Sequence, residues 1–277
     1  MLPRKLSIFI SFFRFGLDFQ HFLILLTCIG ITCLVLLPLS YTTRPTPTIY
    51  LLSLSPTPPL SSLPSPITQT LHRNITSLLP PNTQNSSLII RTGYRGICMT
   101  SELASSRWEC AQRVTKLKDI ITTMTTDTNI DIDPLNLLKL AESVRKRIVF
   151  DGLLYISLAL TLLLLLLLTL IPRWKTDRNP DTASERQVKA FPSRVLSITL
   201  GLISGFAFLF AFTSILWQHL TAVTASRFIE RMSYGSVVAR VGTDAMVIGW
   251  LVVLMLWFAF MGCLLMLSLR KVRRTFG

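Results

Sequence analysis

Four stretches of this chain contain no Asp, Glu, Lys or Arg: Phe19–Thr43 (25 residues), Gly152–Pro172 (21), Val195–Ser226 (32) and Ala245–Leu269 (25). A bilayer core is about 30 Å thick and a helix rises about 1.5 Å per residue, so roughly 20 apolar residues make one span. All four runs reach that length. Only 15% of the 277 residues are charged, against about 25% in soluble domains. A soluble enzyme, a disordered tail and a small disulfide scaffold are excluded, and a four-span membrane protein is expected. The expected layout has spans at 22–40, 151–172, 195–220 and 245–269. A terminal segment 1–21, a loop 173–194 and a tail 270–277 lie on one side. Segments 41–87, 88–150 and 221–244 lie on the other.

The first run follows Arg4, Lys5 and Arg14, as a secretory signal would. Its apolar stretch, Phe22 to Leu39, is too long for an ordinary signal core, and no Ala-x-Ala site follows, so an uncleaved anchor is expected. Charge density orients the chain. Segments 1–21, 173–194 and 270–277 hold 13 Lys/Arg in 51 residues, whereas 41–150 and 221–244 hold 15 in 134. The denser set belongs in the cytoplasm. Arg145, Lys146 and Arg147 disagree, but a long loop crosses largely regardless of its charge. The expectation is a multi-pass plasma-membrane protein with both termini cytoplasmic. Two sequons in the large outer loop, Asn74-Ile-Thr76 and Asn85-Ser-Ser87, agree as glycosylation sites. The net charge of +14 raises the question of nucleic acid. The cytoplasmic basic residues sit beside spans, where anionic headgroups attract them, and no basic stripe carries stacking aromatics. Lipid, and no nucleic acid, is the expected partner.

The outer segment 41–87 is rich in Pro, Ser and Thr, and proline removes donors and fixes φ. A flexible, glycosylated stalk is expected there. Order should begin at Leu88, where Leu88-Ile89-Ile90 reads as a short strand. Of five cysteines, Cys28, Cys33 and Cys263 lie inside spans; only Cys98 and Cys110 lie in the loop. In an oxidising compartment these two are expected to pair and pin a small hairpin. Closing so short a loop contributes roughly 2–3 kcal/mol. Gly93 and Gly96 would allow tight backbone approach, and the Trp108 ring could cover the bridge. Further on, Asp133-Pro134 suits a helix start, with Leu137, Leu138, Ala141, Val144 and Ile148 at helical spacing.

The pattern Gly93-Tyr94-x-Gly96-Ile97-Cys98 followed by Trp108-x-Cys110 resembles the signature of the fungal calcium regulator and membrane-fusion protein family, the pheromone-induced mating proteins. Ser233-Tyr234-Gly235, then Gly242, then Gly249-Trp250 resembles that family's second outer loop leading into its fourth helix. The family is distantly similar to claudins, although claudins place a Trp before the first Cys and lack the proline-rich segment. The resemblance implies an all-α four-helix membrane bundle with a small extracellular disulfide-bonded β-layer. It also implies regulation of calcium influx and membrane fusion. Partners would be other membrane proteins, either calcium-channel components or a second copy of the chain.

Direct calcium chemistry finds little support in the residues. Asp127-Thr-Asn129-Ile-Asp131-Ile-Asp133 begins like an EF-hand loop, but position six is Ile132 and position twelve is Leu138. The loop 41–150 carries 12 basic and 7 acidic residues, which does not concentrate cations. The spans hold no ionised group of the kind that transporters use, and no TVGYG filter is present. No metal site, cofactor or catalytic residue is expected, since HExxH, P-loop and G-x-S-x-G motifs are all missing. Gly201-x-x-x-Gly205 is a small-residue helix-packing pattern, within the bundle or between copies.

Overall fold

Inside a bilayer every backbone N–H and C=O must be satisfied within the protein, so an apolar run becomes a helix. A computed structural model describes residues 19–39, 49–56, 88–100, 108–128, 136–148, 151–171, 174–178, 185–189, 193–234 and 237–276. In chain order they form α1 (Phe19–Leu39), β1 (Leu52–Pro56), β2 (Ile89–Thr92), β3 (Ile97–Thr100), β4 (Glu109–Ala111), α2 (Val114–Thr128) and α3 (Leu137–Ile148). Then follow α4 (Asp151–Thr169), β5 (Trp174–Arg178), β6 (Glu185–Lys189), α5 (Arg194–Met232), β7 (Val237–Val241) and α6 (Thr243–Phe276). The protein is mostly helical, and α1, α4, α5 and α6 are each long and apolar enough to cross a membrane. Helix α5 has 39 residues, about 58 Å of helix and nearly twice a bilayer core. The 32-residue charge-free run does imply such a helix, because nothing at a bilayer surface obliges a helix to end.

The chain divides into two units. The helix unit comprises Met1–Cys33, Leu153–Phe212 and Leu251–Gly277. Here Leu23, Leu164, Leu168, Ile171, Leu200 and Cys263 form a buried core. With no hydrophobic drive between helices in lipid, close approach and hydrogen bonds hold the helices together. Ser157 Oγ on α4 donates to the Ala207 carbonyl on α5 at 2.9 Å. Gln20 Nε2 donates to the Leu168 carbonyl at 2.7 Å, satisfying an acceptor that the end of α4 leaves open. The Gly201/Gly205 pair separates in the structure. A Cβ on Gly205 would meet the Phe260 ring at 3.1 Å, whereas one on Gly201 would meet nothing within 4 Å. The close helix contacts therefore use Gly205 and, against α1, Gly262, whose added Cβ would overlap Leu23. Strands β5 and β6 pair antiparallel in the loop between α4 and α5, where no strand was expected.

The sheet unit comprises Leu34–Gly152 and Thr213–Trp250. Its five strands run in the order β4-β3-β2-β1-β7. Strand β1 is a correction to the flexible stalk expected over 41–87. Leu52 and Leu54 point inward and are fully buried, while Ser53 and Ser55 alternate with them. Alternation of period two decides the outcome, and Pro56 sits at the strand end, where a missing donor costs nothing. Residues 49–51 lead into the strand, with Leu51 N–H donating to the Thr92 carbonyl at 2.8 Å, and 41–48 and 57–87 lie outside the described residues. Opposite residues share a face, so Leu52, Thr92 and Ile97 form one row and Leu54, Ile90 and Met99 another. This apolar face packs with Val114 and Leu117 of α2, Leu137, Leu138 and Ala141 of α3, and Ile229 of α5. Helix α2 was not anticipated. Helix α3 starts at Leu137, with the Asn136 carbonyl accepting from Leu140 N–H. Asp133 and Pro134 lie outside the described residues.

One glycine is required where the residues that lead into β1 meet the end of β7. Gly242 N–H donates to the Leu51 carbonyl at 3.0 Å. A Cβ there would overlap the Tyr50 carbonyl oxygen, and backbone cannot swing aside as a side chain does. We therefore expect Gly242→Ala to destabilise the protein by about 1–3 kcal/mol, as overpacking does. Gly201→Ala, facing open space, should be neutral or slightly stabilising. Thermal unfolding in detergent compares them; equal losses would contradict the placement.

Candidate functional site: the cystine hairpin and its anchor

Of the residues singled out in the sequence, Gly93, Tyr94, Gly96, Ile97, Cys98, Trp108 and Cys110 lie on or beside the hairpin β2–β3. Gly93 N–H donates to the Gly96 carbonyl at 2.9 Å, which closes a turn with Tyr94 and Arg95 at its tip. Arg95 is exposed, whereas Tyr94 is only 4% exposed. The Tyr94 hydroxyl donates to Gln218 Oε1 on α5 at 2.8 Å, and Gln218 Nε2 donates to Ser214 Oγ at 3.3 Å. Gln218 is 1% exposed. An unsatisfied amide in that setting would cost about 1–3 kcal/mol, so the tyrosine fixes the hairpin tip to α5 while it satisfies the glutamine. Gln218 escaped the sequence reading; its signal was an amide side chain within an otherwise apolar run.

The second face of the sheet carries the cystine. Cys98 and Cys110 sit directly opposite on β3 and β4 and are joined by a disulfide. Arg91 is opposite Cys98 on the other side, and Ser53 is opposite both Arg91 and Arg240. The row Cys110, Cys98, Arg91, Ser53, Arg240 therefore crosses all five strands. The Arg91 guanidinium lies 4.7 Å from the Tyr50 ring centroid and 4.4 Å from that of Trp108. Trp108 thus stacks on Arg91 beside the bridge. Each cation–π contact contributes about 0.5–2 kcal/mol, more as water is excluded. Arg91 and Tyr50 carried no sequence signal, because their partnership depends on β1 lying beside β2.

The other marked residues have structural places. Ile97 is fully buried in the core under the sheet. Gly249 on α6 lets Ile215 of α5 approach: an added Cβ would meet its side chain at 3.0 Å. Trp250 meets His219 edge-on, with centroids 6.2 Å apart. Glu230 Oε1 accepts the Ala239 N–H at 3.3 Å, covering the β7 edge with a carboxylate. Asn74, Asn85 and Gly235 lie outside the described residues, as do Asn129, Asp131 and Asp133 of the acidic stretch. Among the described residues no group of three or more His, Cys, Asp or Glu is placed to hold a metal ion. Near the surface, the Lys146 ammonium, 2.9 Å away, hydrogen-bonds Glu142 and holds its carboxyl below the usual range. That small stabilisation is present above the ordinary carboxylate pKa and fades as pH falls through the lowered one.

Tyr94→Phe should cost about 1–3 kcal/mol by stranding Gln218. Tyr94→Phe with Gln218→Leu should cost less than the sum of the single changes, because the pair is removed together. Additive losses in thermal unfolding would contradict the latch. Cys98→Ser, Cys110→Ser and the double change should match one another in stability, since each opens the same bridge; a marked difference would argue against a shared bond.

No individual curated protein matches the chain. A family model matches residues 73–269, which begin ahead of β2 and run to the end of the fourth long apolar stretch. On that match, the chain belongs to the family described as Ca2+ regulator and membrane fusion protein Fig1.

Proposed function

We propose that the chain regulates calcium influx and membrane fusion at the plasma membrane during fungal mating or hyphal development, as an accessory or membrane-organising component. In this reading the sheet unit is extracellular and claudin-like, and both termini face the cytoplasm. Asn74 and Asn85 carry glycans on the segment that precedes β2. Partners are other membrane proteins, either calcium-channel components or a second copy.

The observation that carries the reading is the contrast between spans and sheet. The four apolar runs hold no Asp, Glu, Lys or Arg, whereas ion pathways ordinarily rely on such groups at membrane depth. The marked residues instead brace a small sheet with a cystine, a stacked arginine and a buried latch. Bracing of this kind presents a fixed surface to a neighbour. An adhesion or scaffold protein without a calcium role would use the same bracing, and calcium uptake separates the two.

Dye-reported calcium influx should fall in cells lacking the gene and recover on its return. Liposomes holding this chain alone should stay calcium-tight. Unchanged influx with defective cell contact would favour the scaffold, and calcium flux through the chain alone would overturn the accessory role.

A further inference from the structure

The outer end of α5 carries a surface that the braced sheet does not explain. Ala222, Ser226 and Ile229 are buried, and Ile229 joins the core under the sheet. On the opposite face Arg227, Phe228, Arg231 and Met232 are exposed, with Phe228 at 57% and Met232 at 64%. At 100° per residue these four positions span a continuous arc with Leu220 and Trp217, themselves exposed apolar residues of the same helix.

Contacts with α6 give the height of this ridge. Gly249 meets Ile215 and Trp250 meets His219. Stepping back five or six residues on α6 to Asp244, its first charge, advances equally on α5, to residues 220–225. From there α5 carries Met232 about 10–18 Å further. A headgroup layer is only about 5–8 Å deep on each side. The resident bilayer therefore cannot cover Met232 on an upright helix.

We propose that Arg227, Phe228, Arg231 and Met232 form a docking ridge for the headgroup layer of a second, apposed phospholipid bilayer. The proposal rests on the extracellular placement above and deepens its membrane-fusion side. Apolar and aromatic side chains enter the headgroup–acyl boundary, while guanidinium groups bind phosphate through paired donors. A second copy fits the ridge poorly. A two-fold contact through this ridge would gather Arg227 and Arg231 of both copies, four like charges, into one patch.

The test uses the full chain in phosphatidylcholine proteoliposomes with its cystine face outward. Protein-free target vesicles of phosphatidylcholine, with or without phosphatidylserine, are offered, and co-flotation reports capture. Wild type should capture targets, and more strongly with phosphatidylserine. The double change F228S/M232S should lose about tenfold in capture, and R227Q/R231Q should lose the phosphatidylserine enhancement. Retention of the Cys98–Cys110 bridge on non-reducing gels verifies the fold of each variant. Unchanged capture in both variants overturns the ridge. Capture that requires the chain in both vesicle populations overturns it in favour of self-pairing, and capture of vesicles only through an added protein overturns it in favour of a protein partner. Calcium influx in cells expressing F228S/M232S separates this proposal from the function above: normal influx with lost capture leaves both standing, and lost influx with intact capture removes only the ridge.

Discussion

Strand β1 is the constraint on which the sheet unit depends. It is five residues long, and it pairs with β2 on one side and β7 on the other. The hairpin β2–β3 and the strand that leads into α6 are thus joined through it. Its approach is so close that Gly242 can have no side chain. The same placement brings the Tyr50 ring to Arg91, which contacts the Trp108 ring as well, beside the cystine. Removing β1 would leave β7 without its partner and Arg91 without one ring of its stack.

Two kinds of force then divide the molecule. Under the sheet, burial of Leu52, Leu54, Ile90 and Ile97 against α2 and α3 removes apolar surface from water, at about 25 cal/mol per Å². Along the apolar helices that drive is missing, because lipid is as apolar as leucine. Contacts there depend on small residues and buried polar side chains: Gly205 under Phe260, Ser157 on the Ala207 carbonyl, Gln218 with Tyr94. Residues of the recognisable pattern fall at both kinds of contact. Their common work is to fix the position of one element against another.

What the sequence reveals follows the range of the interactions. Charge-free runs declare four long helices because the membrane demands length and apolarity from each segment alone. The β2–β3 hairpin and the pairing of Cys98 with Cys110 are local, and glycines and cysteines mark them. Strand β1 is not legible, since Leu52 and Leu54 offer two inward residues within a Pro/Ser/Thr-rich segment and the partners lie some 40 and 190 residues away. Gln218 reads as an oddity until Tyr94 is placed beside it. The spacing of Gly201 and Gly205 suggests one shared face, yet only the helix register shows that Gly205 meets a neighbour.

A membrane-impermeant maleimide applied to intact cells tests the central claim, a cystine-clipped sheet exposed outside the cell. Both cysteines should resist labelling until a reductant is added from outside, and then the partly exposed Cys110 should label without permeabilisation. Labelling before reduction, or only after the membrane is opened, would contradict the account.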